Sequence, residues 1–335
     1  MSRSFLTTIT PSAYRALLST SNPSKRVIPI DATWYMPNNL KNAKQEFIKE
    51  RIPNSKFFDL DKYIDPTSPY PHMLPSKISI MEQAYKDLQL NLNDSIVVYD
   101  KLGIFSSPRA AWTFSLFGHP KVYLLDNYLN YKQSEYPIDE NPPPIEEEEQ
   151  NKGEIENLVN PVKLDQDQFN ENYKQQVIEY EELLDLVTKK KNNGYGLKDY
   201  LLLDARSLDR FIGKANEPRP GLSSGHIPGA INLPFNTLLT GNNNQFKNKQ
   251  EILEIFHEKN ILNGNGDGNG DDKIENLLTN YPKGIIVMCG TGVTAVILKF
   301  AIECILKLNV PVRVYDGSWT EWASRAPSEY IQKDI

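Results

Sequence analysis

The chain has 335 residues, 39% of them apolar, with 37 lysines and arginines against 43 acids and a formal net charge of −6. No apolar run approaches the roughly 18 to 20 residues of a membrane span, and the acidic balance argues against a mainly electrostatic nucleic-acid binder. Two cysteines, Cys289 and Cys304, cannot build a disulfide framework. The expectation is two α/β domains in a reducing compartment, with neither membrane nor direct nucleic-acid partner.

In chain order, the first thirty residues hold Arg3, Arg15, Lys25 and Arg26, ten serines or threonines, and no acid before Asp31. That is the composition of a transit peptide. The same residues read as a first strand from Phe5 to Ile9 and a first helix from Pro11 to Leu18 with Thr10 as N-cap. Cytoplasmic residence is the main expectation and mitochondrial residence the second.

The chain then repeats itself. Val27-Ile28-Pro29-Ile30-Asp31-Ala32 resembles Leu201-Leu202-Leu203-Asp204-Ala205-Arg206, with the two aspartates 173 residues apart. Arg51-Ile52-Pro53-Asn54 matches His226-Ile227-Pro228-Gly229 at an offset of 175. Ile96 to Asp100 matches Ile285 to Cys289, and Tyr123 to Asp126 matches Arg313 to Asp316, at offsets of 189 and 190. Strands alternating with helices at short spacing predict a mainly parallel sheet flanked by helices in each half.

The offset jumps where the second half carries the Asn/Gly/Asp-rich stretch 263–272, which reads as a surface loop. As a calcium loop starting at Asn265 it fails, because Asn276 stands where a bidentate Glu is needed. Between the halves, Pro142-Pro143-Pro144 and Glu146-Glu147-Glu148-Glu149 read as a solvated linker. The predicted organisation is 1–136, a linker over 137–162, and a second domain over 163–335.

One stretch carries the chemistry. Ile285-Ile286-Val287-Met288 reads as a buried strand, Ala295 to Leu308 as a helix, and Cys289-Gly290-Thr291-Gly292-Val293-Thr294 as the loop between them. Glycines let such a loop curl its N–H groups inward, and the following helix adds the positive end of its dipole, so a thiolate or persulfide at Cys289 would be stabilised. Its place at the C-terminal edge of a parallel sheet is where ligands of such folds bind. The first half has Asp100 at the matching position, so it is expected to be a non-catalytic copy forming one wall of a cleft.

The tandem Asp-Ala and Ile-Pro landmarks with a cysteine in the second copy resemble the rhodanese superfamily. The loop from Cys289 to Thr294, Asp31-Ala32-Thr33-Trp34-Tyr35, Thr67-Ser68-Pro69-Tyr70 with His72-Met73-Leu74-Pro75, and Tyr315-Asp316-Gly317-Ser318-Trp319 resemble the 3-mercaptopyruvate sulfurtransferases within it. The resemblance implies two tandem rhodanese-like domains and a sulfur relay without metal or organic cofactor. Cys289 would take sulfur from 3-mercaptopyruvate as a persulfide, release pyruvate, and pass the sulfur to a thiol acceptor such as thioredoxin or a relay protein serving tRNA thiolation.

The resemblance also assigns roles. Arg210 and Arg219 would bind the donor's carboxylate, a task suited to the guanidinium fork. The Thr291 hydroxyl would donate to the developing enolate, and Asp61 and His72 would complete an Asp-His-hydroxyl arrangement. His119 and His226 read as structural. Neutral Gly290 and Thr291, where thiosulfate sulfurtransferases carry cations, favour mercaptopyruvate over thiosulfate, which is the alternative donor. A rhodanese-like phosphatase would need an arginine six positions after the cysteine, and Ala295 stands there. A non-catalytic binding module is the remaining alternative, against which the cysteine itself argues.

Overall fold

The computed structural model describes residues 5–141, 161–189, 197–241, 244–262, 277 and 279–335. The insert at 263–272 and the Pro/Glu stretch of the linker lie outside the described residues. Two compact units emerge, Met1–Pro66 with Leu74–Asn172, and Thr67–Met73 with Tyr173–Ile335.

In the first unit the strands are β1 (Phe5–Ile9), β2 (Val27–Asp31), β3 (Lys56–Phe57), β4 (Ser95–Tyr99) and β5 (Lys121–Leu125). They form one sheet in the order β1-β5-β4-β2-β3, and every pairing is parallel. Helices α1 (Pro11–Leu18), α2 (Ala43–Lys49), α3 (Ile78–Asp87), α4 (Ser107–Leu116) and α5 (Tyr128–Gln133) cross between strands. Thr10 caps α1 by accepting from Ala13 N at 3.2 Å, and β1 pairs with β5 along its whole length.

A parallel sheet needs apolar cover on both faces, and both faces of this one are buried. Val27, Val97, Tyr99 and Leu125 pack with Ile9, Tyr14, Tyr128 and Tyr131 on one side. The alternate residues Ile96, Val98, Val122 and Leu124 are fully buried on the other.

The second unit repeats the plan with β6 (Val177–Ile178), β7 (Tyr200–Asp204), β8 (Ile231–Asn232), β9 (Gly284–Met288) and β10 (Val312–Tyr315). Their order is β6-β10-β9-β7-β8, again with every pairing parallel. Each of the four sequence landmarks falls at the same topological place in both units. Even the turn after each Ile-Pro agrees. Asn54 and Gly229 both adopt left-handed backbone, φ 64° and 85°, a conformation open to Gly and tolerated by Asn.

Helices α6 (Gln166–Gln176), α7 (Tyr180–Thr188), α8 (Leu208–Phe211), α9 (Lys249–Glu258), α10 (Ala295–Phe300) and α11 (Ser318–Arg325) belong to the second half of the chain. Two boundaries differ from the sequence reading. Helix α10 does not run to Leu308 as α-helix: it passes into a π-turn over Ala301–Ile305, where Leu306 N reaches back to Ala301 O at 2.8 Å, and the left-handed Lys307 then ends it. The divide between units falls at Asn172, beyond residue 163, because Phe169 stacks on Phe117 at 4.3 Å and Asn172 donates to Leu116 O. Residues just past 136 likewise stay with the first unit, through Asp139 and its ion pair to Arg51 at 2.6 Å.

Asp31 is the costly residue of the first unit. It is fully buried, its Oδ1 accepts from Thr33 N and Oγ1, and its Oδ2 has no partner. Burial pushes its pKa up from an ordinary 3.8 to about 6. The folded state thus holds this proton more tightly than the unfolded one, so the destabilisation is absent below about 3.8, grows up to about 6 and is constant above. Asp31→Asn is expected to match or exceed the parent's stability at pH 7, by on the order of 1 to 3 kcal/mol. The gain should shrink as pH falls through that window, and thermal melts of both proteins from pH 4 to 7 check it. A variant less stable than the parent at pH 7 would contradict this account.

Candidate active site

Cys289 directly follows β9 and is 2% exposed. Its loop is bound to the start of α11 by a set of hydrogen bonds. Cys289 N donates to Ser318 Oγ at 3.1 Å, Trp319 N donates to Cys289 O at 3.0 Å, and Gly290 O accepts from both Thr320 N at 3.0 Å and Thr320 Oγ1 at 2.7 Å. Ser318 itself sits at φ 52° with its hydroxyl donating to Tyr315 O.

The two loop glycines do different work. Gly292 has φ 76° and supplies the left-handed turn that the sequence reading assigned to both. Gly290 has no positive φ, and a Cβ there would lie 3.1 Å from Arg210 Nη2. Its missing side chain is what lets a guanidinium approach the loop. Thr291 and Val293 are buried, and Thr294 is half-buried ahead of α10.

The first unit shows what this loop geometry can hold. Asp100, fully buried at the position matching Cys289, accepts from Leu102 N at 3.0 Å through Oδ1. Through Oδ2 it accepts from Phe105 N at 2.9 Å, Ser106 N at 3.0 Å, Ser107 N at 2.8 Å and Ser107 Oγ at 2.5 Å. Four main-chain amides thus converge on one anion at the end of a β-strand, the geometry of an anion nest. At the offset of 189, the corresponding amides around Cys289 belong to Thr291, Thr294, Ala295 and Val296.

Arg210, on α8, is held by Glu217, which accepts from its Nε at 3.1 Å and its Nη2 at 2.5 Å. Glu217 also pairs with Arg206 Nη1 at 2.8 Å, and Arg206 pairs with Asp204 at 2.5 Å. The Arg206 and Asp204 side chains are wholly buried, and Arg206 Cζ lies 4.0 Å from the Trp319 ring centroid. Arg206 Nη2 further donates to Gly225 O at 2.7 Å, where φ is 132° and an added Cβ would meet Gln332 O at 2.4 Å. Acid and base therefore alternate from Asp204 to Arg210, each fixing the next.

Arg219 is half-buried in the segment between α8 and β8. His72 is buried at φ 62° in Thr67–Met73, the short segment counted with the second unit. Asp61 is exposed in the first unit, where its Oδ2 accepts from Trp34 Nε1 at 3.0 Å. So the structure brings Cys289, Gly290, Thr291 and Arg210 together on one unit, while Asp61 belongs to the other.

His119 and His226 are structural. His119 is buried between Tyr85 OH at 2.8 Å and Asp94 O at 3.0 Å, and burial lowers its pKa to about 4. His226 bonds Phe211 O at 3.0 Å and stacks on that ring at 4.1 Å. Cys304 lies on the π-turn, where burial raises its thiol to about 12. Among the described residues no cluster of His, Cys, Asp and Glu suits a metal ion, and no helix is long and apolar enough to cross a membrane.

Sequence reasoning did not assign roles to Arg206, Glu217, Ser318 or Thr320. Arg206 stands inside a quoted motif, but nothing local says that it pairs with Glu217 eleven residues on.

Comparison with known proteins accords with this geometry. The rhodanese-like domain profile matches residues 29–130 and 179–325. The chain is 37% identical to the thiosulfate sulfurtransferase TUM1 of Saccharomyces cerevisiae, covering 97% of each, and 32% identical to the 3-mercaptopyruvate sulfurtransferase of Rattus norvegicus, covering 96% of each. Among solved structures, the Saccharomyces cerevisiae Tum1 crystal structure superposes with TM-score 0.76 at 35% identity over 98% of both chains. The sulfur transferase subunit described for yeast mitochondrial complex I gives 0.75 at 33% identity, covering 98% of this chain and all of that one.

If the buried charge chain organises the segment from Asp204 to Arg210, Arg206→Met should leave the Asp204 carboxylate uncompensated and lower unfolding free energy by about 3 to 5 kcal/mol. Chemical denaturation measures this, and a loss below about 1 kcal/mol would contradict it.

Proposed function

The chain belongs to the rhodanese-like family, and from that premise we propose that it is a sulfurtransferase using Cys289 to carry sulfur from 3-mercaptopyruvate to a thiol acceptor. The observation that carries this reading is the pairing of the Cys289 loop with Arg210, whose guanidinium lies against Gly290. A nucleophilic sulfur and a carboxylate binder on one loop edge suit a small thiol-bearing acid.

In the first half-reaction the Cys289 thiolate attacks the sulfur of 3-mercaptopyruvate. A new S–S bond forms, the C–S bond breaks, and its electron pair leaves on carbon as pyruvate enolate. The enolate takes up a proton to become pyruvate, and Cys289 remains as a persulfide. In the second half-reaction an acceptor thiolate attacks the outer sulfur, and the electron pair of the S–S bond returns to Cys289. No net redox partner is consumed beyond donor and acceptor.

Arg210 and Arg219 bind the donor carboxylate, and the Thr291 hydroxyl, two residues from the sulfur and buried, donates to the enolate oxygen as charge develops. His72, in the segment counted with the unit that carries Cys289, is the residue the resemblance assigns to this proton transfer, with Asp61 as its further member. Gly290, Gly292, Val293 and Thr294 shape the loop. The charge count supports the monoanionic keto acid over dianionic thiosulfate, because the loop carries no cation and Arg210 already shares its charge with Glu217. Thioredoxin or a relay protein serving tRNA thiolation is the acceptor in this reading, in the cytoplasm or in mitochondria.

Pyruvate release from 3-mercaptopyruvate, with dithiothreitol or thioredoxin as acceptor, tests the proposal. Cys289→Ser should lose activity, and retained turnover would sink it. Arg210→Ala and Arg219→Ala should each lower kcat/KM by roughly 30- to 5,000-fold, corresponding to about 2 to 5 kcal/mol for a desolvated ion pair. Thiosulfate should be the poorer donor by kcat/KM, and the reverse order would overturn the charge argument.

A further inference from the structure

The hydrogen bonds from α11 to the loop carry a consequence for the amides of the loop itself. In a trans peptide the C=O and N–H point in opposite directions. Cys289 O is directed at Trp319 N, so the N–H of Gly290 faces away from α11. Gly290 O is directed at both Thr320 N and Thr320 Oγ1, so the N–H of Thr291 faces away from α11 as well.

The first unit shows where such an amide points. Leu102 N, at the position matching Thr291, donates to the Asp100 carboxylate at 3.0 Å. Its loop has Lys101 where this one has Gly290. Rotation of the Gly290–Thr291 peptide turns ψ of Gly290, where no Cβ opposes it, together with φ of Thr291. Rotated, the Gly290–Thr291 peptide would present a carbonyl oxygen to an anion on Cys289 in place of an amide hydrogen.

We propose that Thr320 is a positioning residue for Cys289. Its hydroxyl, 8% exposed and 2.7 Å from Gly290 O, adds a second bond to the one its amide makes and so holds the Thr291 N–H toward the sulfur in the thiolate and persulfide states. The proposal rests on the sulfur-relay reading for its purpose. Its geometry concerns Cys289 alone, so a test without substrate separates the two.

The decisive variant is Thr320→Val, which keeps the amide bond and the side-chain volume and removes only the hydroxyl. The pH dependence of Cys289 alkylation by iodoacetamide is expected to move to higher pH, with the rate at neutral pH falling about 3- to 10-fold, as for loss of one neutral hydrogen bond. The melting temperature should change little. Single-turnover persulfide formation from 3-mercaptopyruvate should slow by a similar factor, and Thr320→Ser should restore both. If Thr320→Val does not fold, Thr320→Ala removes the same hydroxyl and carries the same expectation. An alkylation profile unchanged in a folded hydroxyl-free variant would overturn the proposal, whatever the donor assay shows. A shifted profile with no 3-mercaptopyruvate turnover in the parent protein would uphold it and count against the donor assignment instead.

Discussion

Main-chain amides gathered on a single anion at the end of a parallel strand are the constraint on which this protein depends. A β-strand ends, the chain curls, and the next helix begins with its N–H groups unspent. Those donors need an acceptor. In the first unit the acceptor is the Asp100 carboxylate, fixed by five hydrogen bonds. In the second, the matching position is a sulfur, a weak acceptor as a thiol and a strong one as an anion. One backbone design thus serves as a sealed structural joint in one copy and as a reactive centre in the other.

Around that centre the second unit adds a chain of paired charges. The chain of Asp204, Arg206, Glu217 and Arg210 runs from the buried end of β7 to the rim of the loop. At the matching place in the first unit, Asp31 is followed two residues later by Thr33, and a carboxylate oxygen is left without a partner. The two aspartates occupy equivalent strand ends, yet one anchors a guanidinium network and the other sits in a burial-strained environment. Duplication preserved the fold while the electrostatics diverged.

Much of this was legible in the sequence because it is local or periodic. The four landmarks, their offsets, the strand-loop-helix around Cys289 and the Thr10 cap all follow from short patterns, as does the parallel sheet in each half. What was not legible depends on distance in the chain. The pairing of Arg206 with Glu217, the clasp of Ser318 and Thr320 on a loop about thirty residues earlier, and the packing of Phe169 on Phe117 leave no short motif. The π-turn after Phe300 was missed for another reason: its composition is that of ordinary buried α-helix, and only the hydrogen-bond register distinguishes it.

The filled cradle at Asp100 also bears on how such a duplicate could evolve. A cysteine at position 100 would put sulfur among the same amides, but with Thr33 in place of Arg206 that strand end has no arginine to start an ion-pair chain leading to the loop rim. Asp100→Cys alone would therefore supply a sulfur without the arginine chain that reaches Gly290 in the second unit. The two strand ends differ in several coupled places, so no single substitution at position 100 makes the first loop equivalent to the second.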